Sequence, residues 1–266
     1  MPTVWEMFDL SGRVAIVTGG AGKLGSQICE GLAEARAHVV VASRQLERCQ
    51  RKAEELTAQG TEAFALPLEV TSKESWQHLV QDVTAKFGRL DILVNNAYSG
   101  RLGRLEEMTL EDFESATRTG LSSVFLGSQA VVPIMRKVRK GVIINISSIY
   151  GIVSPDHRVY GRTGMNSPCN YGAAKAGIIQ LTRWLATYLA PDGIRANSIS
   201  PGGFYNEKLR KLEDYDHFVE NYRYKTPMGR MGGETDLKGT AVFLASAASE
   251  YITGHNLVVD GGWTVW

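Results

Sequence analysis

Between Arg13 and Ser43 the chain runs through an apolar stretch, a glycine loop, a helix-forming stretch and a second apolar stretch. Few folds accommodate that order. Val14-Ala-Ile-Val17 reads as a buried strand. The loop Gly19-Gly20-Ala21-Gly22-Lys23-Leu24-Gly25 opens a helix that runs to about Arg36, and His38 to Ser43 reads as a second strand. A strand, glycine turn, helix and strand of this kind puts a helix N-terminus, with its free amides, at the C-terminal edge of a parallel sheet, where a pyrophosphate is held. Glycines let the backbone turn tightly and approach the phosphates. Taken alone, the same glycines would also serve an ordinary βα turn.

Further strands are expected at Phe64 to Leu68, Asp91 to Val94, Gly141 to Ile146, Gly193 to Ile199 and Leu257 to Val259. Helices are expected at Gln45 to Gly60, Lys73 to Phe87, Leu110 to about Arg136, Tyr171 to about Leu189 and Glu234 to Ala247. The alternation predicts an α/β fold: a Rossmann-like, doubly wound, mainly parallel sheet of about seven strands with helices on both faces. At 266 residues, without internal repeat or linker, one domain over 1–266 suffices. A net charge of +1 calls for neither nucleic acid nor an anionic membrane. No apolar stretch approaches the ~20 residues that span a bilayer. The first twelve residues lack the basic and apolar regions of a signal peptide. Cys29, Cys49 and Cys169 show no metal-binding or disulfide spacing. The expectation is a reduced, cytoplasmic protein that acts on a small molecule and carries no metal.

Tyr171 and Lys175 stand four apart, so a helix through them brings both side chains to one face. A phenol keeps its proton to about pH 10, too high for exchange at neutral pH, and a neighbouring ammonium lowers that value. Ser148 lies just past the strand ending at Ile146, placed to donate to a carbonyl oxygen. Together the three suit proton transfer to an oxygen that alternates between carbonyl and alcohol. At the end of the second strand, an acidic residue would accept a ribose 2′-OH and repel a 2′-phosphate. Here Ser43-Arg44 offers a hydroxyl and a guanidinium, which predicts NADP(H) over NAD(H), unless Arg44 only starts the next helix and faces water.

These residues are part of a longer series: Thr18-Gly19, Gly22 and Gly25; Asn95-Asn96-Ala97; Asn145-Ile-Ser-Ser148; Tyr171-x-x-x-Lys175; Pro201-Gly202; Asp260-Gly261-Gly262. In this order and spacing, from about Leu10 to Gly262, the chain resembles the short-chain dehydrogenase/reductases of the classical type. The resemblance implies Ser148, Tyr171 and Lys175 as catalytic residues, with Lys175 also on the nicotinamide ribose. It implies a cofactor cleft built from Thr18, Gly19, Gly22, Lys23, Leu24, Gly25, Ser43, Arg44, Glu69, Val70, Asn95, Asn96, Ala97, Pro201 and Gly202, besides Tyr171 and Lys175. Asn95 would brace the sheet, Glu69 would touch the adenine edge or cap the turn into the next helix, and Pro201-Gly202 would pack on the nicotinamide. A homo-oligomer, tetramer or dimer, is implied as well.

The sequence also departs from the family. Lys23 holds the middle glycine's place, leaving a spacing similar to extended members that act on nucleotide sugars. Lys23 belongs near a phosphate or the adenosine ribose, or in solvent. Tyr98 replaces the usual glycine after Ala97, and either reaches over the substrate or sits in a plain surface loop. Gly120 falls where the family often places an asparagine that holds a relay water behind the lysine, so another group such as Ser122 replaces it or the relay is absent. Asn206 takes the place of a threonine. Twenty-two residues separate Ser148 from Tyr171, roughly ten more than is usual, within 150–168. With His157, Arg158, Tyr160, Arg162 and Asn166, this polar, cationic insertion is expected to wall a pocket for a polyhydroxylated or anionic ligand, or only to make subunit contacts. It is similar to a branch associated with sugar and sialic-acid-like biosynthesis. Tyr98, Tyr150, Arg158, Tyr160 and Phe204 are the expected substrate contacts, under a mobile lid spanning 203–225.

The function expected is an NADP(H)-dependent oxidoreductase interconverting a secondary alcohol and a ketone on a sugar, polyol or nucleotide-linked sugar. Two other readings stay open. One is a reductase of acyl or small apolar ketones, which a uniformly apolar pocket would favour. The other is a non-catalytic dinucleotide-binding scaffold or redox sensor, motivated by Lys23, Tyr98 and Gly120.

Overall fold

A strand such as β1 (Val14–Thr18), buried at every position, suits a sheet covered on both faces. The computed structural model, which describes residues 1–101 and 103–266, shows that arrangement. In chain order the elements are α1 (Val4–Phe8), β1, α2 (Lys23–Glu34), β2 (His38–Ser43), α3 (Leu46–Ala58), β3 (Ala63–Pro67), α4 (Lys73–Phe87) and β4 (Ile92–Asn95). After them come α5 (Leu110–Thr117), α6 (Ser123–Val138), β5 (Gly141–Ile146), α7 (Cys169–Leu189), β6 (Ile194–Pro201), α8 (Tyr215–Lys225), α9 (Lys238–Ala245) and β7 (Asn256–Val259). The strands form one sheet of seven in the order β3-β2-β1-β4-β5-β6-β7. Every pairing is parallel, so all seven C-terminal ends open on the same edge.

Two apolar layers cover the sheet. On one face Ile28 and Leu32 of α2, Cys49 and Leu56 of α3, and Ala241 and Leu244 of α9 pack on Ala15, Val17, Val39 and Val41. On the other, Trp76 and Leu79 of α4, Val131 and Met135 of α6, and Leu185 and Leu189 of α7 pack on Val14, Ile16 and Val40. Trp76 is fully buried, and its indole N–H donates to the Val70 carbonyl at 3.0 Å, so its polar edge is satisfied.

A third cluster stands apart from the sheet. Val159 and Tyr160 of the insertion pack with Tyr215, Phe218 and Tyr222 of α8 and with Trp263. Tyr160 stacks on Phe218 with centroids 5.7 Å apart, and Tyr222 on Trp263 at 4.1 Å. Lys225 of α8 pairs with Asp156 of the insertion, and Asp214 accepts from the Arg162 backbone N–H at 3.2 Å. The segment read as a mobile lid is therefore pinned to the insertion by stacked aromatics and ion pairs.

Two expected helices are corrected. The helix expected unbroken from Leu110 to about Arg136 is divided by a π-helical turn at Arg118–Ser122. There Ser123 Oγ donates to Thr119 O at 2.6 Å, so a side chain meets one of the carbonyls of the wide turn. The last helix is shorter than Glu234 to Ala247, ending as Lys238–Ala245. The short helix α1 was not foreseen; its Thr3–Glu6 capping box is the local signal for it.

Candidate active site

The parallel register brings the loops after β1 to β5 together around a cleft of about 470 Å³. It is lined from one end to the other by Ser43, Arg44 and Glu69, then by Gly19, Gly22, Lys23, Leu24 and Gly25, and then by Asn96, Ala97, Tyr98, Tyr171 and Lys175. Binding at the carboxyl ends of the strands is the general rule for such sheets.

The glycine loop is built by close approach. Gly19 has φ +62°, in the region that favours glycine. A Cβ at Gly25 would lie 2.2 Å from the Gly19 carbonyl oxygen, so no side chain fits there. Gly22 caps α2 without a side-chain bond, which leaves the first-turn amides free to meet an anion. Thr18 does not line the cleft; its hydroxyl oxygen accepts from the Asn96 and Ala97 N–H groups at 2.9 and 3.0 Å and locks the β1 and β4 loops together. Asn95 is likewise buried away from the cleft, donating to Asn145 Oδ1 at 2.9 Å, and Asn145 in turn donates to Thr182 Oγ1 of α7 at 2.9 Å. This chain of amides ties β4 and β5 to α7.

At the far end, Arg44 stands 3.7 Å from Glu69 and both remain accessible. Glu69 also caps the turn into α4, accepting from Thr71 N at 3.1 Å and Thr71 Oγ1 at 2.8 Å. Arg48 lines the cleft too, donating to Ala21 O at 3.1 Å, and sequence reading missed it. Its signal was its place one helical turn beyond Arg44. Lys23 lies 5.9 Å from the Tyr205 ring centroid, and partial burial lowers its pKa against the pull of Glu234.

At the near end, Ser148 is 5 % exposed, and its oxygen accepts the Tyr150 N–H at 3.1 Å. Ser147 Oγ donates to Lys175 O at 2.7 Å, seating α7 on the end of β5. Lys175 is buried, its Nζ donating to Ile146 O at 2.8 Å and lying 5.6 Å from the Tyr171 ring centroid. Burial lowers the lysine to about 8. The expectation that Lys175 lowers the Tyr171 phenol is not met: burial raises that phenol, and a hydrogen bond with Ser148 only partly opposes it. The ammonium is turned to the Ile146 carbonyl. A phenol raised in this way stays protonated at neutral pH and holds that proton more tightly than a free phenol does.

The expected substrate residues divide. Tyr98 lines the cleft, its ring edge-on to Tyr171 with centroids 5.1 Å apart. Tyr150 and Tyr160 meet hydroxyl to hydroxyl at 3.1 Å, and burial raises both phenols. Arg158 is corrected: its side chain is 88 % exposed and bound to Asp156 at 2.8 Å, and with Arg162 on Asp214 the insertion turns its charge to solvent. Phe204 is corrected as well, since it bridges to Gly232 and packs against the sheet core. Pro201 and Gly202 lie outside the cleft lining; Pro201 pairs with Val259, and the Gly202 N–H donates to Val259 O at 2.9 Å. Among the described residues there is no group of three metal-ligating side chains, and no helix is long and apolar enough to cross a membrane.

Comparison with known proteins agrees with this geometry. A family model described as enoyl-(acyl carrier protein) reductase matches residues 20–264. The chain is 34% identical over 259 residues to the rhamnolipids biosynthesis 3-oxoacyl-(acyl-carrier-protein) reductase of Pseudomonas aeruginosa, covering 96% of this chain and 97% of that protein. Among solved structures, it is 33% identical to a gluconate 5-dehydrogenase from Burkholderia cenocepacia J2315 in complex with NADP and tartrate, with a TM-score of 0.90 over 99% of this chain and 100% of that one. It is 34% identical to a short-chain type dehydrogenase/reductase from Mycobacterium marinum, with a TM-score of 0.88 over 98% of this chain and 99% of that one. Seven parallel strands, a glycine loop at a free helix N-terminus and a tyrosine and lysine lining the end of one cleft beside a buried serine belong with these relatives, and the chain is a member of the short-chain dehydrogenase/reductase family.

Proposed function

We propose that the chain is an NADP(H)-dependent reductase that converts a ketone to a secondary alcohol, running in reverse at higher pH. The observation that carries this is the near end of the cleft, lined by the Tyr171 phenol and the buried ammonium of Lys175, with Ser148 hydrogen-bonded to that phenol beside it. The cleft fits a dinucleotide: free amides at the start of α2, a close approach to Gly19 that only glycine allows at Gly25, and the guanidinium groups of Arg44 and Arg48 at the far end. A bound nicotinamide cofactor supplies the hydride. Ser148 donates to the substrate oxygen as negative charge grows there. Tyr171 gives that oxygen its proton. Lys175 supports the phenolate left behind. Arg44 and Ser43 favour the 2′-phosphate of NADP(H), in keeping with the NADP named for the Burkholderia relative.

For substrate, we favour a polyhydroxylated ketone such as a keto-sugar, a keto-sugar acid or a nucleotide-linked sugar. What supports this is the paired hydroxyls of Tyr150 and Tyr160 in the neighbourhood of the Tyr171 phenol, and the gluconate chemistry named for one relative. A second reading, reduction of 3-oxoacyl or small apolar ketones, is favoured by the 3-oxoacyl chemistry named for the Pseudomonas relative and by the aromatic cluster around α8. In either case we place the protein in the reducing cytoplasm as a homo-oligomer, tetramer or dimer. The test has two stages. Melting is followed with NADPH, NADH, NADP⁺ and NAD⁺, because a ligand of the folded state raises the midpoint. NADPH oxidation is then followed with 5-keto-D-gluconate, ketoses and acetoacetyl thioesters. A shift with the phosphorylated cofactors and turnover of a hydroxylated ketone is expected. Turnover of the thioesters alone moves the assignment to the second reading. No shift with any cofactor sinks both.

A further inference from the structure

We propose that Tyr98 is a positioning residue for Lys175, its ring seated between Gly100 and Gly120 so that an aromatic face holds the lysine ammonium against the Ile146 carbonyl. The consequence for turnover rests on the reading of Tyr171 and Lys175 as the reacting pair; the contact itself does not.

The lysine sets the problem. Its Nζ is buried, makes one hydrogen bond, to Ile146 O at 2.8 Å, and joins no ion pair found among the described residues. A buried ammonium without a carboxylate is costly and tends to lose its proton. An aromatic face is what remains to compensate it, and cation–π attraction grows when the cation is desolvated. Lys175 Nζ lies 5.2 Å from the Tyr98 ring centroid and 5.6 Å from that of Tyr171. The two rings meet edge to face at 76°, so each also fixes the other.

The seat for the Tyr98 ring is cut to shape. A Cβ at Gly120 would lie 3.3 Å from two ring carbons and 3.2 Å from Ala174 Cβ; a Cβ at Gly100 would lie 2.3 Å from the Tyr98 hydroxyl oxygen. Gly120 sits in the π-helical turn, and the Thr119 hydroxyl of that turn donates to Ser99 O, tying the loop that carries Tyr98 to it. Tyr98 and Gly120, two separate departures in the sequence, are thus two halves of one contact.

The groups facing Lys175 are few. From its own helix there is the Tyr171 phenol, from the loop after β4 the Tyr98 phenol, and from β5 the Ile146 carbonyl. Burial pushes the Tyr98 phenol up to about 12, so its ring stays neutral and electron-rich while Lys175 titrates. Burial alone accounts for the lowering of Lys175 to about 8, and losing an aromatic face lowers it further.

The test reads Lys175 without any substrate. The full chain is labelled with 13Cε-lysine, and the Lys175 resonance is assigned by its absence in Lys175→Arg. In the wild type it is expected to titrate near pH 8, in keeping with its burial. In Tyr98→Phe, which keeps the ring, the midpoint stays within about 0.3 unit, and in Tyr98→Leu it falls by about one unit. Gly120→Ala, which crowds the ring, lowers the midpoint in the wild-type background and leaves it unchanged in Tyr98→Leu. If the leucine variant does not fold, as judged by its melting curve, Gly120→Ala decides alone. A midpoint shared by wild type and the variants overturns the proposal. A separate control keeps the two readings apart: if Tyr171→Phe retains turnover, the proposed mechanism fails whatever Lys175 does.

Discussion

The two sides of the site are made in different ways. The cofactor end is backbone: a left-handed Gly19, a Gly25 that admits no Cβ, and amides and carbonyls locked by Thr18, Asn96 and Glu69 within one sheet. The proposed substrate side, beyond the residues that line the cleft, is side chain: Tyr150 and Tyr160 from the insertion, Phe218 and Tyr222 from α8, and Trp263 near the C-terminus, held together by stacking and by Asp156 with Lys225. A site made of backbone has one sequence solution, nearly all glycine. A site made of packed side chains has many, which is why one fold serves many substrates with one cofactor.

The largest effect is expected where backbone approach is tightest. Gly25→Ala forces the loop apart at Gly19 and should raise the Kd for NADPH roughly a hundredfold, measured by fluorescence titration. A tolerated alanine would mean that the cofactor end is no more rigid than the other. Arg44→Asp comes next: loss of a charged hydrogen bond to the 2′-phosphate, about 1.5–3 kcal/mol, should weaken NADPH tenfold or more while NADH is unaffected or improved. Equal losses for both cofactors would show that Arg44 only supports the loop. The smallest effect belongs to the substrate end. Asp156→Asn loosens α8 from the insertion and should raise the substrate KM about threefold with NADPH affinity unchanged. Arg158, and then Lys225, hold the Asp156 carboxyl well below the usual carboxylate range. The pin therefore contributes above pH ~4, and is lost only as pH falls through the depressed folded value. A KM that climbs already between pH 7 and 5 would contradict that.

The same contrast explains what the sequence made legible. The sheet, its helices and the glycine loop follow from local signals, since runs such as Val14–Val17 and Val39–Ala42 are apolar throughout because both faces are covered. Ser148, Tyr171 and Lys175 stand out in the sequence only through the ordered series of motifs, since a tyrosine and lysine four apart are common; the structure places them at the end of β5 and on one face of α7. Arg158 and Phe204 were misplaced because a loop sequence shows polarity but not direction; Asp156 turns Arg158 outward, and Gly232 makes room for the Phe204 ring. The lid's anchoring was hidden for the same reason, as Tyr160 and Phe218 stack across fifty-eight positions of sequence (218 − 160). The π-helical turn is met by a Ser123 hydroxyl that any helix could carry. Tyr98 and Gly120 each read as a departure, and only their contact shows that they belong together.

The central claim is that this cleft ends at a proton donor, Tyr171, and not merely at a place where a dinucleotide rests. The most direct test is Tyr171→Phe, with NADPH affinity and the rate of ketone reduction measured on the same preparation. The expected result is an NADPH Kd within about threefold of wild type and turnover reduced by roughly a thousandfold. Turnover within about tenfold of wild type, with binding intact, would contradict the account, because the proton would then come from elsewhere.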